Sequence, residues 1–509
     1  MKKWIKSGDW PIYLVNRWKT GIFLIYSILL GISVLKHEPW FDEAQAWLLA
    51  RDASFIELIV KYLRYEGSPG LWHLILMIPA KLGFPYITLN IISAILAAAG
   101  TYLFLRYAPF PLLIKLLYPF SFFAFYQYAV IARSYSLIPL LLFSIAVIYK
   151  EKINKPFLFW GLLILLANVS VHGSIIASSL ALIHLFEINI KWFKINQGLR
   201  YRNLSFALLF GLFIFLLKLQ LELPKDLISV AGIHKDISNL YKKCMPILLN
   251  SLTAGNPSNS AQYSLFSSIT SIISKFAIIV TLIWFALRRK LLTYLIPVFA
   301  LFILFTVVYA NVWHTGTLFY TWLFVLWISY GKVEETNGYS IVFLKPIVTY
   351  TIAIVLLIQS VWSIYSFRYD YLKDYSGSRE LANYIKNNEL EDKKIYATNF
   401  HSISILPYFT KNIFCNYNNK KQPSFWIWSH KNSMYTEPYL STVKYDPDFI
   451  ILGIKNYCPD LSNIENPFIP KIEGYQFTRF FPGALYWKNK PLETDSFALF
   501  EKKKKSLIP

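Results

Sequence analysis

Apolar residues recur in long runs over the first 365 residues, at 21–35, 87–105, 204–217, 276–287 and 341–364 among others. A helix needs about 20 such residues to cross a hydrocarbon core. The whole pattern predicts spans at 20–36, 87–105, 112–130, 134–149, 157–170, 172–188, 204–221, 270–287, 291–309, 317–331 and 341–364. Segment 71–83 is too short for an ordinary span and reads as a juxtamembrane or re-entrant helix. Beyond residue 365 the pattern changes. Gly377–Asn388 has a helical period through Leu381, Tyr384 and Ile385, while 394–398 and 449–452 read as short buried strands. The predicted fold is an all-α polytopic membrane domain over 1–365, with about 11 transmembrane helices plus interfacial helices. A small C-terminal α/β domain over 366–509 follows it.

Charge refines that division. The chain carries a net +22, which by itself suits nucleic acid. Its basic residues, however, gather in short connections: Lys2, Lys3 and Lys6; Lys150, Lys152 and Lys155; Lys191, Lys194, Arg200 and Arg202; Arg288, Arg289 and Lys290. That is the positive-inside pattern of membrane proteins, and it argues against nucleic acid as a partner. With the N-terminus cytoplasmic, an odd number of crossings puts the C-terminal domain outside the cell membrane. The turns near Arg133, His172 and His314 and the loop 37–86 then share its face. The loop 222–269, with Lys225, His234, Lys235, Lys242 and Lys243, lies there too. It reads either as a clamp for an anionic headgroup or as solvated surface. The run at 502–505 reads as solvated charge or a contact to headgroups.

Cys244, Cys415 and Cys458 lack metal-site spacing. Cys415 and Cys458 read as two thiols, with pairing open to them outside the cell. The first apolar run has no small-residue cleavage site after it and reads as an uncleaved span.

Acidic residues are scarce before residue 365, yet Glu38, Asp42, Glu43, Asp52, Glu57 and Glu66 cluster in the first outer loop. Carboxylates at a membrane surface are costly unless solvated, paired or used. Asp42 with Gln45, and Ser54 with Glu57, fit capping boxes opening two amphipathic helices in the membrane interface. Asp42 is also compatible with a general base, because a capping carboxylate keeps one oxygen exposed. Glu66 stands in a Gly/Pro turn as a solvated carboxylate or a ligand. Arg133 is either an interfacial anchor or a bidentate phosphate ligand. His172 and His314 each sit at an outer helix end, where an isolated histidine is commonly structural.

Taken together, the first span, Phe41-Asp42-Glu43-Ala44, Pro69 with Leu71-Trp72, Arg133-Ser134-Tyr135 and His172-Gly173 resemble the GT-C glycosyltransferases. The nearest likeness is to bacterial relatives of the protein O-mannosyltransferase and aminoarabinose transferase family, across residues 15–365. The resemblance implies a polyprenyl-phosphate-linked sugar donor and an extracytoplasmic acceptor. It implies Asp42 as general base with Glu43 as its partner. Glu66, Arg133, Tyr135, His172 and His314 would contact lipid phosphate or sugar. Relatives often carry His-Pro-Pro-Leu where this chain has Ser68-Pro69-Gly70-Leu71, so a contact from that histidine is not carried over. No cofactor is implied, and no motif supports a divalent cation. The competing reading is a transporter or flippase of lipid-linked saccharides. It would predict repeat symmetry and ionisable residues at the midplane, whereas the acids here sit in a loop. An O-antigen ligase or polymerase would place its key residues in a large late loop.

Overall fold

The computed structural model describes residues 10–228, 240–253, 265–308, 311–331, 339–418, 421–432, 445–457, 459 and 461–503. Lys2, Lys3, Lys6, His234, Lys235, Cys458, Lys504, Lys505 and the side chain of Lys243 lie outside them. The main helices are α1 (Trp10–Lys36), α2 (Phe41–Asp52), α3 (Leu71–Lys81), α4 (Thr88–Tyr107), α5 (Leu137–Ile148), α6 (Pro156–Ala167) and α7 (Val171–Ile190). They continue as α8 (Gln197–Gln220), α9 (Leu240–Leu252), α10 (Leu265–Leu287), α11 (Leu291–Val307), α12 (Thr315–Ser329), α13 (Tyr339–Leu372) and α14 (Ser378–Asn387).

Seven segments among the described residues are long and apolar enough to cross a membrane, namely those of α1, α4, α5, α7, α8, α10 and α13. Helices α3, α6 and α11 are shorter and apolar. α1 shows why such a sequence belongs in lipid. Its inner face, Tyr26, Leu30 and Val34, is buried, while Leu24, Ile28 and Leu35 on the outer face remain exposed and equally apolar. α12 is buried almost throughout and forms the centre of the bundle.

The predicted span 112–130 is not one helix. It is a short helix, Leu112–Leu117, then a turn containing Pro119 and a π-turn, Phe122–Gln127. Irregular backbone survives at membrane depth only inside protein. Here Tyr26 Oη donates to Ala124 O at 2.9 Å and Ser93 Oγ to Ala129 O at 2.9 Å. Tertiary partners therefore replace the helical ladder.

Two poles organise the bundle. At one, Glu187 binds Lys152 at 2.7 Å and Lys290 at 3.6 Å, drawing two of the basic connections together. At the other lie the loop after α1, the turn before α5, and the starts of α7 and α12. The 34 residues of α13 extend about 51 Å at 1.5 Å per residue. That exceeds the hydrocarbon thickness of about 30 Å, so α13 delivers its end to the C-terminal domain.

That domain carries the two expected strands, β1 (Ile395–Ala397) and β2 (Phe449–Ile454), which pair in parallel. The later strands β3 (Tyr475–Phe481) and β6 (Ser496–Lys502) complete a sheet of order β1-β2-β6-β3. Strands β4 (Ala484–Trp487) and β5 (Lys490–Thr494) form a separate hairpin. Trp487 and Lys488 at its turn are buried. The Trp487 ring packs 4.8 Å from Phe122 and 5.5 Å from Trp313, and Lys488 Nζ donates to Asn250 O at the end of α9 at 2.8 Å. The C-terminal domain is thus wedged into the helical bundle.

Candidate functional site

α2 was expected to lie in the membrane interface. It is instead buried from Phe41 through Ala50 apart from Asp42, packed against α3 and the 3-10 segment Phe400–Tyr408. The C-terminal domain grips it along its length. Phe41 meets Phe400 edge-on at 4.9 Å. Gln45 accepts from Trp426 N at 2.8 Å and donates to Trp426 O at 2.7 Å. Asp52 accepts from Ser424 N at 2.7 Å.

The cap also differs from expectation. Trp40, not Asp42, is the N-cap, and the Glu43 carboxylate reaches back to Trp40 N at 3.2 Å. Asp42 is therefore not the cap, and Gln45 is committed to the C-terminal domain. The second expected box, Ser54 with Glu57, is formed.

Neighbouring helix positions point about 100° apart, and this divides the acidic pair. Glu43 turns inward and is fully buried. It accepts from Ala132 N at 2.6 Å, Asn90 Nδ2 at 3.3 Å and Trp40 N at 3.2 Å, and pairs with His37 Nε2 at 3.1 Å. His37 Nδ1 meets Asp370 Oδ2, at the end of α13, at 2.8 Å. Burial alone would lower the pKa of His37. The carboxylates of Asp370 and Glu43 outweigh it and push it up to about 10. His37 is thus a cation locked between two carboxylates.

Asp42 turns outward. Its Oδ2 lies 2.9 Å from Arg133 Nη2, and both side chains stay partly exposed, at 29% and 21%. The two halves of the Asp-Glu pair cooperate through the chain. Glu43 holds the amide of Ala132, and the next residue is Arg133. The anchor that fixes the start of α2 therefore also sets Arg133 against Asp42.

Beneath the ion pair, the Arg133 guanidinium lies 5.2 Å from the Tyr135 ring. Tyr135 contacts the rings of His172 and His314, each at 6.0 Å, and those two imidazoles are 4.4 Å apart. Burial pushes the pKa of His314 well below its ordinary value, with His172 and the Arg133 cation adding to the effect. His314 is therefore neutral at pH 7. Small residues after each histidine make this approach feasible. A Cβ on Gly316 would sit 2.5 Å from Tyr128 Cζ, and one on Gly173 would sit 2.3 Å from Leu166 O. Gly316→Ala is accordingly expected to cost about 1–3 kcal/mol through overpacking. Thermal unfolding of the variant in detergent measures it, and an unchanged midpoint contradicts the packing described.

Glu66 joins the group from the side, accepting from Gln45 Nε2 at 2.7 Å. Burial raises its pKa to about 7. The Gln45 bond and Arg133 oppose the rise, and Asp42 adds to it. The following turn is fastened by Asn168, whose Oδ1 accepts from Gly70 N at 3.1 Å, four residues before His172. In the loop after α8, Asp226 beside Lys225 accepts from Tyr65 Oη at 2.9 Å and Ser429 Oγ at 2.7 Å.

Asp42, Glu66, Arg133, Tyr135, His172 and His314 thus meet in one place, and Glu43 stands directly behind them. Sequence reasoning missed His37 and Asp370. It also missed Lys455 and Glu493 of the C-terminal domain. These two lie 3.6 Å apart. Burial raises the pKa of Glu493, Lys455 opposes the rise, and the Asp42 charge adds to it. Among the described residues no group of three or more His, Cys, Asp or Glu is arranged to hold a metal ion. No family model, curated protein or solved structure matches the chain.

Proposed function

We propose that this chain is an integral membrane glycosyltransferase. It moves a sugar from a polyprenyl-phosphate donor to an extracytoplasmic acceptor. The supporting observation is the Asp42–Arg133 ion pair, a carboxylate and a guanidinium set 2.9 Å apart above two histidines and a tyrosine. Asp42 takes the proton from the acceptor hydroxyl as its oxygen attacks the sugar's anomeric carbon. The bond from that carbon to the phosphate oxygen breaks, and the charge left on the lipid phosphate is stabilised by Arg133. The imidazoles of His172 and His314, with Tyr135, serve sugar or phosphate oxygens. Glu66, tuned near neutrality, accepts from or donates to the substrate on the acceptor side. Glu43 acts through position, holding Asp42 and Arg133 in register.

The active face is extracytoplasmic on this reading, and the protein resides in the cell's cytoplasmic membrane. The Lys152–Glu187–Lys290 pole is cytoplasmic under the positive-inside rule. Having the four turns at the opposite pole agrees with an odd number of crossings, with 112–130 counted as a broken one. A reporter fused after Lys290 should read as cytoplasmic, and one fused after Lys503 as extracytoplasmic. Reporters on the same side would contradict this topology.

Arg133→Lys keeps the charge and loses the planar fork. Donor binding is expected to weaken by about 1–3 kcal/mol. The measurement is a titration of purified protein with a short-chain polyprenyl-phosphate sugar. Wild-type affinity would make Arg133 an anchor for Asp42 and not a phosphate ligand.

A further inference from the structure

The C-terminal domain holds an open cleft of about 420 Å³, lined by Glu380, Asn383, Tyr384, Asn387, Asn388 and Arg479. Five of these residues come from α14 and its C-terminal end. Glu380, Asn383, Tyr384 and Asn387 fall at i, i+3, i+4 and i+7, so they form one stripe of the helix. Leu381, Ala382 and Ile385 on the other side of α14 are buried in the domain.

The opposite wall is Arg479 of β3. Phe477 pairs with Phe500 and Arg479 with the next residue of β6, Leu499, so Thr478 is an extra residue in β3. Such a bulge re-aims the side chains around it. Arg479 Nη2 donates to Glu380 Oε1, and the guanidinium lies 5.8 Å from the Tyr384 ring and 5.2 Å from the Phe481 ring. Tyr384 meets Phe481 edge-on at 5.7 Å. These contacts fix the two walls against each other.

The fold does not use the amides that line the cleft. Asn383 and Asn387 are exposed, and neither side chain bonds to another described residue. The Tyr384 hydroxyl is likewise unbonded among the described residues. Asparagine is a weaker helix former than alanine, lysine or glutamate, so helix stability gives no reason for these two. Asn388 differs, since its Nδ2 donates to Tyr384 O at 2.8 Å at the end of the helix.

We infer that this cleft binds an uncharged saccharide. An amide both donates and accepts, which matches the paired capacity of a sugar hydroxyl. Asn383 and Asn387 offer two such groups about one helical turn apart, and the Tyr384 hydroxyl offers a third polar contact. The half-buried Tyr384 ring supplies apolar surface for the sugar's C–H groups. Glu380 and Arg479 neutralise each other, so the lining carries no net charge to attract an anion. Its volume falls within the range of small-ligand sites, about 300–1,000 Å³. The cleft shares no residue with the Asp42–Arg133 group, so it gives the domain a hold on glycan independent of the proposed transfer chemistry.

The test uses the full-length protein in a detergent without a sugar headgroup and saturation-transfer NMR. The probes are trisaccharides of glucose, mannose, galactose and N-acetylglucosamine, with trigalacturonate as the anionic control. At least one neutral trisaccharide should bind, and more tightly than trigalacturonate. The double variant Asn383→Ala, Asn387→Ala removes two exposed, unbonded amides and raises helix propensity, so the fold should survive. Its affinity should fall by about tenfold. Asp42→Asn should bind the trisaccharide as the wild type does, which separates this site from the proposed catalytic one. Failure of all four neutral trisaccharides to bind, equal or tighter binding of trigalacturonate, loss of binding in Asp42→Asn, or undiminished binding in the double variant would overturn the assignment.

Discussion

Asp42→Asn is expected to fold and to fail as a catalyst. Asp42 is not the cap of α2, and its bond to Arg133 is partly exposed. Losing that pair costs at most about 1 kcal/mol. The amide cannot take a proton from an acceptor hydroxyl, so turnover should drop by roughly 100-fold or more. Glu43→Gln should behave in the opposite sense. It places an amide where a buried carboxylate accepts from Ala132 N and Trp40 N and faces the His37 cation. Stability should fall by about 3–5 kcal/mol, and any activity should decline with the folded fraction. Expression, thermal midpoint and turnover of the two variants in detergent separate these roles. Equal losses of stability would undo the division of labour between the two acids.

His37→Gln is expected to destabilise the fold as much as Glu43→Gln. It strands Glu43 and Asp370 as two buried carboxylates without the cation between them, at a cost of about 3–5 kcal/mol. The same pairing makes wild-type stability depend on pH. His37 has its folded pKa raised to about 10, above its ordinary value of 6.5. The unfolded chain therefore releases this proton first as pH rises. The contribution is complete below about pH 6.5 and disappears as pH climbs towards 10. Unfolding of the wild type between about pH 6.5 and 10 should show this decline, and His37→Gln should lack it. Parallel pH profiles would show that His37 is not a cation in the folded protein.

What could be read in the sequence followed from local periodicity. The apolar runs marked the spans because lipid demands apolar surface on every outward face. The polar residues standing at their ends, Asp42, Arg133, His172 and His314, were visible against that background. The break inside 112–130 was not, because its carbonyls are satisfied by Tyr26, Asn90 and Ser93 from distant segments. The capping role also escaped. Asp42 and Gln45 have the right spacing, but Glu43 reaches back to Trp40 and Gln45 is drawn off to Trp426. His37 and Asp370 are 333 residues apart, and Asp370 stands beyond the predicted last span, 341–364, with no local pattern to mark it. The burial of α2 depends on the C-terminal domain, whose contacts with it leave no period in α2 itself.

The proposed reaction is the transfer of a sugar from a lipid phosphate by Asp42 and Arg133. Its most direct test is to reconstitute the purified chain in liposomes with radiolabelled polyprenyl-phosphate sugars and a membrane extract containing acceptors. Label should leave the polyprenyl lipid and appear in a new product. Asp42→Asn protein, folded to the same extent, should produce none above background. Donor that crosses the bilayer intact, or label transferred equally well by Asp42→Asn, would contradict the account.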